Sequence, residues 1–234
     1  MKGHAVRPYA DVVADFVASG ALLMRDAIAS RYKGLVAGGT RLLEPGFVPP
    51  DRPAKVLIVS YYPNATDRYK PGTAAYEAAR GHLFAWRDDG SVAAYTAAYA
   101  DWLGSLDRIP FHRTRTRPIL ETAGLTNDEI AWLPFVKVPL PAGFGPGEAI
   151  QDCDIDTTWA QIQLLRPSIV WIQGMAIAPR IQNLVKERIT DDILPIQSVS
   201  QYGSAAKREE ERDRLARRLR EYLAKTMASE DDSM

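Results

Sequence analysis

Apolar positions along this chain follow two alternating patterns. Short uninterrupted apolar runs, the mark of strands buried on both faces, alternate with stretches where apolar residues recur every three or four positions. The first run, Lys55-Val56-Leu57-Ile58-Val59-Ser60, predicts a strand over 55–60 that ends abruptly before a Pro63-Asn64 turn. The second, Trp132-Leu133-Pro134-Phe135-Val136-Lys137-Val138, predicts a strand in which proline is tolerable only near an end. Ser168–Gln173 and Ile193–Val199 predict two more. Residues 9–32 read as a helix, with Val12, Val13, Phe16, Val17, Leu22, Leu23 and Ile28 on a broad apolar face. Residues 44–53 are too rich in proline for helix or inner strand and form a connector.

The alanine- and aromatic-rich region 73–106 is expected to be helical around Val92–Leu106. The Pro- and Gly-rich segment 139–147 is expected to be a loop with little regular structure. Asp156 is expected to cap a helix carrying Trp159, Ile162 and Leu165, which stops before Pro167. Ile181, Leu184, Val185 and Ile189 repeat at helical spacing, with Pro179 suited to the first turn. A charged helix over 205–225 carries a Leu215, Leu219, Tyr222, Leu223 stripe, and the tail 228–234 is expected to fray.

Strands alternating with amphipathic helices imply a parallel sheet covered on both faces. The expected fold is therefore α/β, a three-layer α/β/α sandwich with a short, mainly four-stranded parallel sheet. Residues 1–53 are expected to be an N-terminal helix and connector packed on the core, and 54–234 the α/β domain, one structural domain overall. Ligands of open sheets bind beyond the C-terminal ends of the strands. The loops in question offer Tyr61, Tyr62, Asn64 and Asp67 after the first strand and Lys137 with Pro139–Pro141 after the second. Gly174 follows the third strand, and Ser200, Gln201 and Tyr202 follow the fourth.

Composition narrows the chemistry. The 234 residues, 46% hydrophobic, suffice for a full core, and 29 basic against 29 acidic residues leave no global field favouring a polyanion. The single cysteine, Cys153, excludes an internal disulfide and a four-cysteine zinc or iron–sulfur site. His4, His82 and His112 show no metal-ligand spacing, and no metal or organic cofactor is expected. Phosphate-binding glycine loops and a G-x-S-x-G elbow are absent as well. No secretory leader is read at 11–29, which Asp11, Asp15, Arg25 and Asp26 interrupt, and no apolar run approaches the ~20 residues of a membrane span. A cytoplasmic location without membrane partners is expected.

The order and character of these loops resemble the uracil-DNA glycosylase superfamily over roughly residues 54–203. Ser60-Tyr61-Tyr62-Pro63-Asn64 resembles the motif that closes the family's first strand. Phe135-Val136-Lys137-Val138-Pro139-Leu140-Pro141 resembles its N-V-V-K strand and proline loop, and Leu165-Arg166-Pro167 through Gly174 its L-R-P segment. Ser200-Gln201-Tyr202 stands in place of an H-P-S-like motif, and Gly81-His82-Leu83-Phe84 resembles the segment carrying the base-stacking phenylalanine. Tyr62 and Tyr61 occupy the family's usual acid positions, Phe135 that of the second-strand asparagine, and the last histidine is missing.

The resemblance implies cleavage of the N-glycosidic bond of a modified, damaged or deaminated base in DNA, by a cluster-free relative. Such cleavage needs a carboxylate beside a cationic sugar, donors for the leaving base and a ring to hold it. Asp67 is the carboxylate that the resemblance suggests, or else a turn aspartate bonding its own backbone. His82 is the candidate donor and Phe84 the stacking ring, with Tyr61, Tyr62, Asn64, Ser200, Gln201 and Tyr202 lining the pocket. Arg113, Arg115 and Arg117, in a run of four arginines and a histidine over 108–117, and Lys137 are candidate backbone contacts to DNA; the alternative is a solvated arginine face pairing with Glu121. Hydrolysis of free nucleosides or nucleotides, or binding of nucleic acid without catalysis, remain the competing readings.

Overall fold

The computed structural model describes residues 7–29, 42–60, 70–137, 152–173, 194–197 and 205–231. The fold is mixed α/β, mostly helical, around a short parallel sheet. In chain order the elements are α1 (Tyr9–Ala29), β1 (Val56–Ser60), α2 (Ala74–Asp89), α3 (Val92–Ser105), α4 (Arg117–Thr122) and β2 (Ile130–Pro134). Then come α5 (Asp152–Leu165), β3 (Ile169–Ile172), β4 (Leu194–Gln197) and α6 (Ala205–Asp231). Short 3₁₀ turns occupy Leu106–Arg108 and Asn127–Glu129, and His112–Thr116 forms a π-helical turn leading into α4.

The strands run in the order β2-β1-β3-β4, every pair parallel. Val56 pairs with Ile130 and Ser60 with Pro134, while Val59 pairs with Ile172 on the other side. All five residues of β1 and all four of β3 are buried, so both faces of these inner strands are covered. β2 begins and ends earlier than the apolar run suggests. Pro134 is its last residue; the Phe135 N–H still donates to the Ser60 carbonyl at 2.9 Å, and the chain then bends through Phe135–Lys137 although Phe135 and Val136 are as buried as a strand residue.

The proline-rich connector runs along the outer edge of β2. Phe47 and Trp132 exchange backbone bonds of 2.8 and 2.7 Å, an antiparallel bridge that covers the sheet edge. Gly46 makes this approach possible: its φ of +131° and the Trp132 carbonyl, 2.8 Å from where a Cβ would lie, exclude a side chain. The Phe47 ring stacks 4.9 Å from Trp102, and the Tyr95 hydroxyl donates to the Val48 carbonyl at 2.6 Å. Trp86 packs edge-on against Tyr95 and donates its indole N–H to the Val17 carbonyl, tying α1 to α2 and α3. One contiguous buried cluster extends from Val13 to Leu219, so α1 and the connector belong to the same core as the sheet.

The helix expected around Val92–Leu106 is α3, and a second helix, α2, precedes it in the same alanine- and aromatic-rich region. Thr73 and Ser91 cap α2 and α3 through their hydroxyls, and Gly90 at φ +69° turns the chain between them. Helix α5 starts at Asp152, so Asp156 lies within it rather than capping it; its end before Pro167 is as expected, with Arg166 in the left-handed region. Helix α6 runs through to Asp231, past the point where fraying was expected. The 139–147 loop and the 181–189 helix lie outside the described residues. Among the described residues no helix is long and apolar enough to cross a membrane.

Candidate functional site

Strand order alone selects one position along the sheet. The chain leaves β1 toward β2 on one side and leaves β3 toward β4 on the other. The connections therefore diverge between β1 and β3, the topological switch point where open α/β sheets form a crevice at the carboxyl ends of their strands. Two polar residues stand there. Ser60 ends β1 and Gln173 follows β3, its N–H donating to the Val59 carbonyl at 2.8 Å. Continuing the Val59–Ile172 register places Gln173 beside Ser60, on the same sheet face and about 4.8 Å across.

Both side chains are nearly enclosed, 8% and 7% exposed, and their bonding differs. Ser60 Oγ is buried with no hydrogen-bond partner. Gln173 Nε2 donates to Thr116 Oγ1 at 3.0 Å, and its side-chain carbonyl is engaged by no described group. Thr116 closes the π-helical turn His112–Thr116 and is itself 2% exposed. Such turns often mark functional sites because the extra residue re-aims a side chain. The turn is anchored by His112, whose Nε2–H donates to Asn127 Oδ1 at 2.9 Å. Burial holds the His112 imidazole below its usual range, partly offset by that bond, so it is a neutral structural group.

The expected residues divide three ways. Tyr61, Tyr62, Asn64, Asp67, Ser200, Gln201 and Tyr202 lie outside the described residues. His82 and Phe84 are both in the middle of α2. Two positions apart on a helix are about 200° apart, so they face different ways and cannot act together on one base. His82 Nδ1 is buried without a partner, and the half-buried Phe84 ring lies under the Arg80 and Arg87 guanidinium groups, 5.1 and 4.3 Å from its centroid. Helix α2 packs chiefly on α3 and α1, so neither residue is placed at the strand ends.

Lys137 is the clearest correction. Expected at a phosphate, it is 1% exposed and points inward. Its Nζ donates to the Pro134 carbonyl at 2.6 Å, Gln161 Oε1 at 2.8 Å and Thr158 Oγ1 at 3.3 Å. Gln161 in turn donates to the Pro45 carbonyl at 3.1 Å, so the ammonium ties the end of β2 to α5 and the connector. Arg117 is likewise committed, bridging Glu121 at 2.7 Å and Asp107 at 3.0 Å. Arg113, exposed, and Arg115, half-buried, form no ion pair among the described residues. They sit on the same π-helical turn as Thr116, the residue that holds Gln173.

Neither Ser60 nor Gln173 is among the candidate site residues that the sequence suggests. The signal was present: each is a polar residue closing an apolar run. Thr116 had none, because its partner lies 57 positions away. Among the described residues no group of three His, Cys, Asp or Glu side chains could hold a metal ion. Comparison with known proteins finds no matching family model and no matching curated protein.

Proposed function

We propose that this protein is a DNA glycosylase-like enzyme that binds an extruded base in the crevice between β1 and β3. One observation carries the reading: β1, the strand that leads directly into the Tyr61–Asp67 segment, lies inside a four-strand parallel sheet and ends at the switch point with an unpartnered buried hydroxyl. The resemblance leads one to expect a parallel sheet with its chemistry after the first strand, and the strand order agrees with that expectation. The finer architecture, helix layers on both faces making a three-layer α/β/α sandwich, is part of the same proposal. Burial of every β1 and β3 residue supports it.

In the proposed reaction Asp67 stabilises the cationic sugar or orients the attacking water. The departing base gathers negative charge, for which the free Ser60 O–H is the donor at hand. Arg113 and Arg115 are the cations left over for DNA phosphates; Lys137 and Arg117 are not. His82 and Phe84 have no part in the site.

Oligonucleotides containing uracil, hypoxanthine, xanthine, mismatched thymine or hypermodified pyrimidines, incubated with the protein and treated with alkali, test the reading. Strand breaks that disappear in Asp67→Asn are expected. Binding without abasic product across the panel would favour a catalytically silent relative. Base release from free nucleotides alone would favour a nucleoside hydrolase.

A further inference from the structure

We infer that the π-helical turn His112–Thr116 is a proton-operated latch. A second proton on His112 undoes the two side-chain clamps that close the turn, and so releases Gln173 at the strand ends and the two arginines held between the clamps. Nothing in this latch depends on the cleavage of a glycosidic bond.

A π-helical turn carries one residue more than an α-helix needs, so it persists where its surroundings enforce it. Within the turn the Arg117 N–H donates to the His112 carbonyl, and both ends are held from outside. At the start, His112 Nε2–H is bonded to Asn127 Oδ1 at 2.9 Å, on the 3₁₀ turn that leads into β2. At the end, Thr116 Oγ1 accepts from Gln173 Nε2 at 3.0 Å, just beyond β3. Both anchors are buried, while Arg113 between them is exposed and Arg115 half-buried. The turn therefore joins a buried imidazole to the strand ends through five residues.

The His112 clamp suits the neutral ring alone. A second proton goes to Nδ1, for which no described residue supplies an acceptor. The cation would also enter basic surroundings. Arg113 and Arg115 share its turn, Arg108 stands on the preceding 3₁₀ turn, and Arg117 opposes the charge from α4. Asp107 favours the charge but is bridged to Arg117 at 3.0 Å, and Glu121 is paired with Arg117 as well. Asp128 and Glu129, beside Asn127, are turned to Arg52 and Lys55. Burial prevails over these terms and holds the ring below its usual range. The closed latch thus binds fewer protons than the open one, so opening is favoured as pH falls below about 6.5, the value of a solvated imidazole. Once the ring turns out to water the turn loses its fixed start, and Thr116 carries its hydroxyl away from Gln173.

Hydrogen exchange of the full chain, followed residue by residue by NMR, tests this. Between pH 7.5 and 5.5 the protection factors of the amides of residues 113–117, corrected for the intrinsic pH dependence of exchange, are expected to fall by up to about tenfold while those of β1 hold. His112→Gln keeps a donor for Asn127 and cannot titrate, and should keep the protection of the turn level. His82→Gln, which alters another imidazole with a buried nitrogen, should leave the fall in place. Thr116→Val removes the second clamp, so the turn should exchange faster already at pH 7.5 and the His112 imidazole should titrate nearer its solvated value than in the parent. Level protection in the parent across this range, or an equal fall in His112→Gln, overturns the inference. The parent alone also decides: a His112 imidazole that titrates at its solvated value, or whose titration leaves those amides protected, refutes the latch.

Discussion

Replacing Lys137 separates a structural lysine from a DNA contact. In Lys137→Met the stem is kept and the ammonium lost. Thr158 Oγ1 already lies 3.5 Å from the Pro134 carbonyl and can serve it, while Gln161 Oε1 loses its Lys137 donor. One orphaned buried acceptor costs about 1–3 kcal/mol. Relief from burying a charge offsets part of that, so methionine is expected to lose about 1–2 kcal/mol. Lys137→Ala also empties the space of the stem at the β2–α5 junction and should lose about 3–5 kcal/mol. Urea unfolding followed by tryptophan fluorescence reads this directly, as a lower midpoint at constant slope. The opposite pattern refutes the burial account: Lys137→Ala within about 0.5 kcal/mol of the parent, together with a fall of about one in the salt dependence of oligonucleotide binding.

Salt titrations of DNA affinity should sort the arginines in the same way. Arg113→Gln and Arg115→Gln are each expected to lower the slope by about one, and Arg117→Gln to leave it unchanged because its charge is already matched by Asp107 and Glu121. Burial depresses the His112 pKa, so its contribution to stability is complete above the unfolded value of about 6.5 and is lost as pH falls below it. Melting temperatures between pH 7.5 and 5 should therefore fall less steeply in His112→Gln than in the parent; parallel curves would show that this imidazole is not the group responsible. Gly46→Ala forces a Cβ against the Trp132 carbonyl and Leu133 at φ +131°, and should destabilise by roughly 2 kcal/mol or more in the same urea assay.

The sheet was legible in sequence where a strand is buried on both faces, because such strands carry no polar interruption. Val56–Ser60 and Ile169–Ile172 lie within one residue of their expected bounds. The β2 run misled because burial outlasts the ladder: Phe135 and Val136 are core residues that are no longer strand. Gly90-Ser91 was a readable helix break, a left-handed glycine followed by a capping hydroxyl. Side-chain direction was not readable. A lysine after a strand looks like a surface cation until Thr158 and Gln161, 21 and 24 positions on, turn out to enclose it. Gly81-His82-Leu83-Phe84 resembles a base-stacking segment in its letters, yet it lies within a helix that four residues carry too little periodicity to reveal.

Following the hydrogen bonds of buried polar groups separates scaffold from site. Lys137, Thr158, Gln161, His112 and Asn127 spend their hydrogen bonds on one another and on nearby carbonyls, fixing α5, the connector and the π-helical turn. Such groups hold the fold and have nothing left for a ligand. The orphaned hydroxyl of Tyr99, pushed up to about 12 chiefly by burial, senses Asp51, Arg52 and Asp128, residues that precede β1 and β2. It therefore lies toward the N-terminal end of the sheet, away from the switch point. His82 Nδ1 is orphaned on α2. Among the described residues, Ser60 alone combines an unspent buried hydroxyl with a place at the carboxyl end of an inner strand, beside Gln173. Leaving the Ser60 hydroxyl unmet in the free protein costs about 1–3 kcal/mol. A ligand that meets it recovers that free energy on binding, which is why the carboxyl ends of β1 and β3 are the place to look for one.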